Sequence, residues 1–312
     1  MRLGIDIMGG DFAPEQIMLG AIAAQKELPP DVKLVLIGDK EMMLPILSNE
    51  GVSPDLFEII HTSEVIGMGE SPTKALTQKQ DSSITVGFTM LKKGMIDAFA
   101  SAGNTGAMFV GSILIVKPIH GILRPAITSK VPRHDGSIGV VLDVGANADI
   151  KPEVLAQFGV LGSLYMKYVF NNSNPKVGLL NIGEEEEKGN IVAQAAYKLM
   201  KESKDMNFVG NVEGRDFFNN KVDVLVCDGF TGNIVLKAAE SFYELLKQRG
   251  INDDFFEMFN YENFGGTPIL GISSNVIVGH GISNAKAIKN MILLTREVTE
   301  AKLSEKIKQA FN

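Results

Sequence analysis

Asp223 to Lys237 reads DVLVCDGFTGNIVLK: a short apolar run, a turn carrying two glycines, and the start of an amphipathic segment. The apolar run has few polar interruptions, as expected for a strand covered on both faces of a parallel sheet. Glycine in the turn lets the backbone approach closely, and the helix that follows offers unpaired N–H groups. Working outward, the same alternation recurs. RLGIDI precedes the helix-like PEQIMLGAIAAQKEL, VKLVLIGD precedes KEMMLPILSNE, and FEIIHT, DAFASAG, GVVLDVG, KVGLLNIG, NFVGNV and NVIVGHG complete a set of β-rich runs. Such a pattern reads as βαβ units around a mostly parallel sheet, with helices on both faces. Lys151 to Asn171 reads as one long helix with Pro152 in its first turn, and Ser283 to Phe311 reads as another. No repeat, low-complexity tract or flexible linker marks a boundary. The reading is one α/β domain over residues 1–312, and if it divides into two lobes they would meet at the site.

Composition limits the function classes. The chain has 312 residues, 45% of them hydrophobic, so it can bury a large core. Its formal net charge is −7 with basic residues scattered, which speaks against a nucleic-acid partner. The single cysteine, Cys227, excludes an internal disulfide. With no signal-like start, a cytoplasmic location is the expectation. No apolar run is long enough to span a bilayer.

Five strand ends carry similar turns: Gly9, Gly10 and Asp11; Gly103, Asn104, Thr105 and Gly106; Gly145 and Asn147; Gly229, Gly232 and Asn233; and Gly279, His280 and Gly281. In a parallel sheet these turns gather at the carboxyl ends of strands, where ligands bind. Any one of them is explained by tight turning alone, whereas five point to a phosphate-sized anion. Neither a dinucleotide fingerprint nor a nucleotide-binding P-loop is present. The run GEEEEKGN, Gly183 to Asn190, follows another strand. Its glutamates read as a solvated charge run near a helix start. A metal site is disfavoured, since consecutive residues point different ways and no His or Cys cluster accompanies them. Lys188 is either an ordinary surface lysine or the cation of an anion pocket. Asn233 is either a helix N-cap or a donor to a ligand oxygen. His280 is either packed on its own loop or a ligand and proton donor. Asn104 and Thr105 could hydrogen-bond phosphate. Asp11, negative itself, and Asn147 suit loop-fixing bonds from side chain to backbone. Cys227, in a strand reading as buried, suits an inert core position rather than a covalent nucleophile.

The blocks IDIMGGDFAP, DAFASAGNTGA, GILRPA, DVGANADIKPE, VGLLNIGEEEEKGN, FVGNVEGRD, DVLVCDGFTGNIVLK, GGTPILG and VIVGHGISNAKAI, in this order over nearly the whole chain, resemble the bacterial PlsX family of phosphate acyltransferases. The resemblance implies transfer of a fatty acyl group from acyl carrier protein to inorganic phosphate, giving acyl phosphate for membrane phospholipid synthesis. It implies a Rossmann-like fold similar to phosphotransacetylases and isocitrate and isopropylmalate dehydrogenases, a homodimer, and a downstream membrane glycerol-3-phosphate acyltransferase. It places Lys188, Asn233 and His280 in the catalytic site, and Gly9, Gly10, Asp11, Gly103, Asn104, Thr105, Gly106, Asn147 and Gly232 around phosphate or substrate. Direct attack of phosphate on the thioester needs no metal or organic cofactor. The competing readings are a phosphotransacetylase-like enzyme using acyl-CoA and a noncatalytic acyl or carrier-protein binding module.

Two departures stand out. Phe12 occupies a position where relatives commonly carry histidine, and the segment 238–264 is shorter than the helical hairpin of relatives. That hairpin is associated with dimer contacts and peripheral membrane attachment. Phe255, Phe256, Met258 and Phe259 there form an apolar cluster suited to core packing, or to lipid, an acyl chain or a second subunit.

Overall fold

The computed structural model describes residues 1–311. In chain order its strands are β1 (Arg2–Asp6), β2 (Lys33–Gly38), β3 (Glu58–His61), β4 (Ala98–Ser101), β5 (Ala126–Pro132), β6 (Ile138–Leu142), β7 (Lys176–Leu180), β8 (Asn207–Val212), β9 (Val224–Val226), β10 (Thr267–Leu270) and β11 (Asn275–Val278). The chain divides into two compact units. The first comprises Met1–Ile119 and Tyr261–Glu305, and the second His120–Asn260 with 306–311 among the described residues.

In the first unit the strands lie in the order β3-β2-β1-β4-β11-β10, parallel except for the antiparallel β10–β11 pair. Leu34, Val35, Leu36 and Ile37 on β2 are all fully buried, so both faces of this strand are covered. An unbroken apolar run signals this arrangement, because alternation would appear only if one face met water. Helices Glu15–Gln25 and Ala285–Glu300 pack on each other, and Ser83–Lys92 packs on β1, β2 and β4. In the second unit the order is β5-β6-β9-β7-β8, parallel except for β5–β6. Helix Pro152–Val169 packs on β6, β9, β7 and helix Ile191–Glu202, with Pro152 at its first position. Each unit is therefore a mostly parallel α/β sheet, as the alternation of the sequence indicates.

Two strands and one helix differ from the sequence reading. The antiparallel strands β5 and β10 lack a strand-turn-helix context, and β10 is only four residues with Pro268 inside it. The final run is not one helix but two, Ala285–Glu300 and Leu303–Phe311, broken where Lys302 takes a φ of 51°. The shortened segment folds as the long helix Gly229–Gln248 followed by single turns at Asp254–Glu257 and Tyr261–Phe264. Phe255 and Phe259 stack edge-on, and Phe259 continues onto Phe218 and Phe217, so the aromatic cluster packs within its own unit. Helix Gly229–Gln248, by contrast, exposes Phe230, Ile234, Phe242 and Leu245. No described helix is long and apolar enough to cross a membrane.

Candidate active site

The second unit gathers three turns at the carboxyl ends of the neighbouring strands β6, β9 and β7. The first begins at Asp143, a buried carboxylate beyond the end of β6. It accepts from the backbone N–H groups of Ile127 at 3.1 Å, Ala146 at 3.3 Å and Asn147 at 2.6 Å, and from Asn147 Nδ2 at 2.9 Å. Burial pushes its pKa above the usual carboxylate range, against the pull of these four donors. Asn147 is also buried, and its Nδ2 donates to the Pro125 carbonyl at 2.8 Å, the loop-fixing role anticipated for it.

The second turn starts helix Gly229–Gln248. Its N-cap is Asp228, whose carboxylate accepts from Thr231 N and Thr231 Oγ1, both at 2.8 Å. Asn233 therefore has no capping duty. It sits one turn into the helix, half-buried, with Nδ2 3.4 Å from the Val144 carbonyl, a long contact for an amide donor. Glycine is required at 232: a Cβ there would collide with the Asp143 carbonyl and lie 2.9 Å from Cys227 Sγ. Cys227 is buried, and burial pushes its thiol far above the usual range, so it carries no thiolate for nucleophilic work.

The third turn, 181–190, carries Lys188 and is pinned by side-chain amides. Asn181 Nδ2 donates to the Lys188 carbonyl at 3.1 Å, Gln194 Nε2 to the Glu187 carbonyl at 2.7 Å, and Asn211 Nδ2 to the Glu185 carbonyl at 2.8 Å. Asn190 caps helix Ile191–Glu202 by accepting from Ala193 N at 2.8 Å. Two glutamates of this turn have partners elsewhere: Glu184 pairs with Lys221 at 2.7 Å and Glu186 with Lys201 at 2.7 Å. Lys188 does not join them. Its stem lies over Gly183, its ammonium is exposed, and among the described residues it has no ion pair. Glu184, Glu213 and Asp216 come close enough to share a cation, but Lys221 bridges Glu184 and Asp216 and Arg215 pairs with Glu213. Between the turns opens a cleft of about 690 Å³ walled by Ile150, Leu179, Ile182, Val192 and Phe230, with Asn190 and Asp228 at its polar side. Its size and mixed lining suit a small-molecule ligand.

The first unit repeats the arrangement at the ends of β1, β4 and β11. Asp6 is buried at the end of β1 and accepts from Met8 N at 2.9 Å and Ser101 Oγ at 2.6 Å, while Ser101 Oγ accepts from Gly103 N at 2.9 Å. Burial raises the Asp6 pKa, with these bonds opposing it. Gly9 is pressed so close to Gly103 that a Cβ would lie 2.7 Å from its nitrogen. Asp11 N donates to the Gly281 carbonyl at 2.8 Å, so its backbone, not its exposed carboxylate, ties the Gly10 turn to the His280 turn. His280 is half-buried and rests against the Tyr261 ring at 5.3 Å. Asn104 is spent on structure. It caps helix Thr105–Gly111 by accepting from Ala107 N at 2.9 Å and donates to the carbonyls of Gly67, Met68 and Glu70, each at 3.0 Å. Thr105 is exposed and Gly106 half-buried beside it.

Sequence reasoning missed Asp6, Ser101, Asp143 and the amides of Asn181, Gln194 and Asn211. The two aspartates left a signal, as lone carboxylates between an apolar strand and a glycine turn in IDIMGG and LDVGAN. The amides left none, because Asn and Gln are common in turns and helices, and Asn211 acts on a turn 26 residues away.

The comparisons with known proteins agree over the whole chain. The phosphate acyltransferase of Dictyoglomus turgidum is 40% identical over 333 residues, covering 100% of this chain and 98% of that protein. The phosphate acyltransferases of Halothermothrix orenii and Acetivibrio thermocellus are each 42% identical, covering 100% of this chain and 99% and 96% of their own lengths. Among solved structures, a phosphotransacetylase from Streptococcus pyogenes shares the fold with a TM-score of 0.70 at 17% identity, covering 96% of this chain and 94% of that one. A 4-hydroxythreonine-4-phosphate dehydrogenase from Klebsiella pneumoniae does so at 0.59 and 12% identity, with 96% and 98% covered. The family model described as fatty acid synthesis protein matches residues 1–306, and the chain belongs to that family.

Proposed function

We propose that the chain is a phosphate acyltransferase that moves a fatty acyl group from acyl carrier protein to inorganic phosphate, for membrane phospholipid synthesis. The observation that carries this reading is Lys188, an exposed lysine left without an ion pair among the described residues, while Glu184 and Glu186 beside it pair with other lysines. It stands on a turn fixed by three side-chain amides at the carboxyl end of a parallel strand, beside a cleft with apolar walls. A fixed cation there offsets the charge of phosphate, and the apolar walls suit the acyl end of a thioester.

The reaction then needs little beyond positioning. A phosphate oxygen attacks the thioester carbonyl carbon, the carbon–sulfur bond breaks, and the carrier leaves as a thiolate that takes up a proton. Lys188 holds the phosphate, and the Asn233 amide donates to the carbonyl oxygen as it gains negative charge. The raised Cys227 pKa favours direct transfer over an acyl-enzyme. A homodimer and hand-off to a membrane glycerol-3-phosphate acyltransferase belong to the same proposal.

The deciding assay incubates the purified chain with long-chain acyl carrier protein, with and without inorganic phosphate, and follows the acyl product by mass spectrometry. Acyl phosphate formed only with phosphate is the expected result. An intact thioester with carrier bound would leave a binding module, and turnover of acyl-CoA alone would replace the donor.

A further inference from the structure

We propose that Asp143 is a positioning residue: lodged beneath the turn after β6, it sets the register between that turn and the first turns of helix Gly229–Gln248 and thereby aims the Asn233 amide. The inference rests on the catalytic reading of Asn233 given above. Asp143 is buried and no cation pairs with it among the described residues. Its four contacts are all N–H donors, three of them from Ala146 and Asn147 in its own turn and one from Ile127 on β5. An apolar side chain there would leave these four donors without their acceptor, so the carboxylate fixes the whole turn, and a turn held at so many points asks for a reason.

That reason is visible in what the turn touches. Asp143 N donates to the Cys227 carbonyl at 3.0 Å, and Gly229 N donates to the Asn147 carbonyl at 2.7 Å. A Cβ on Gly229 would stand 2.7 Å from Asp143 Oδ2, and one on Gly232 would collide with the Asp143 carbonyl. The helix start is thus seated directly on the carboxylate and its peptide group. Asn233, the next residue, reaches back over the same turn. Its Nδ2 lies 3.0 Å from the position a Cβ would take on Gly145, whose φ is +124°. The 3.4 Å contact to the Val144 carbonyl is long enough to be exchanged for a substrate oxygen. The first unit contains the same device in Asp6, Ser101 and the Gly9–Gly103 contact. A buried carboxylate under a glycine turn at the carboxyl end of a parallel strand therefore occurs twice in different packing surroundings, which ties it to the turns rather than to either core.

A double-mutant cycle tests the inference. Wild type, Asp143→Ala, Asn233→Ala and the double variant are compared for kcat and for the phosphate KM, with folding checked by circular dichroism and thermal unfolding. Asn233→Ala is expected to lower kcat about 100-fold, as loss of an oxyanion donor does. Asp143→Ala should lower kcat about 10- to 100-fold through misplacement, with less change in the phosphate KM. The double variant should lose little more than Asn233→Ala alone, since no amide remains to be aimed. Asp143→Asn should not rescue, because its NH₂ would face N–H donors. Losses that multiply, or wild-type kcat in a folded Asp143→Ala, would overturn the proposal. Should Asp143→Ala fail to fold, Asn147→Ala removes one donor from the bracket and is read in the same cycle, where multiplying losses overturn the proposal equally. A wild-type chain that forms no acyl phosphate sinks the function and this inference together, whereas an active wild type with an unaffected Asn233→Ala sinks the inference alone.

Discussion

Lys188 and Cys227 show how a residue's surroundings decide its chemistry. Lys188 sits among four glutamates, where a sequence reading leaves surface lysine and phosphate ligand both open. The structure pairs Glu184 with Lys221 and Glu186 with Lys201, and among the described residues Lys188 itself joins no ion pair. Lys188→Ala should keep the fold and lower kcat/KM for phosphate by about 10²- to 10³-fold, the scale of a lost electrostatic contact to developing charge. Unchanged kinetics would remove it from the site. Cys227 is the opposite case: its burial, already suggested by the VLVC strand, deprives it of thiolate character. Cys227→Ser should retain activity within a few-fold of wild type, and an acyl adduct trapped on Cys227 with an inactive serine variant would refute direct transfer. Asn104 carries a different lesson. Its amide is engaged by one N–H and three carbonyls, contacts made with residues 34 to 37 positions away as well as with its own helix, so residue type alone could not separate a phosphate ligand from a loop fastener.

At the scale of elements, the units that sequence makes legible are those with a local cause. Strands β1, β2, β4, β6, β7, β9 and β11 are apolar runs ending in glycine turns, and each stands where the pattern places it. The antiparallel β5 and β10 lack that punctuation and are set by pairing with partners chosen in the folded sheet. The break between the last two helices depends on the single residue Lys302 adopting a left-handed conformation. Contacts between elements are sharper than their boundaries. The seat of helix Gly229–Gln248 against the turn after β6 has no space for a methyl group at 232. Gly232→Ala should therefore cost about 1–3 kcal/mol of stability, read as a lowered denaturation midpoint at constant slope. A change below about 0.5 kcal/mol, the range of neutral surface substitutions, would mean that the close approach is absent.

For the whole molecule, the chain leaves the first unit after Ile119 and returns at Tyr261, and each unit brings its own parallel strands and its own buried aspartate. Those aspartates shape the pH dependence of stability. Burial raises the Asp6 pKa, so the folded state holds its proton more tightly than the unfolded chain does. Its contribution is fully present below the unfolded pKa and is lost as pH rises through the higher folded value. The stability of wild type relative to Asp6→Asn should accordingly decline from acid toward neutral pH in denaturant titrations, and parallel pH profiles would show that Asp6 ionises without penalty. The α/β class, the mostly parallel sheets, the turns that carry Lys188, Asn233 and His280, and the family were settled by the sequence, because periodicity, glycine placement and motif order are properties of the chain itself. Which amides remain uncommitted, which carboxylates lie beneath the turns and which cations are already paired were decided only by the tertiary structure. Those facts depend on contacts such as that of Cys227 with Asp143, 84 residues apart, and no local pattern encodes such a pairing.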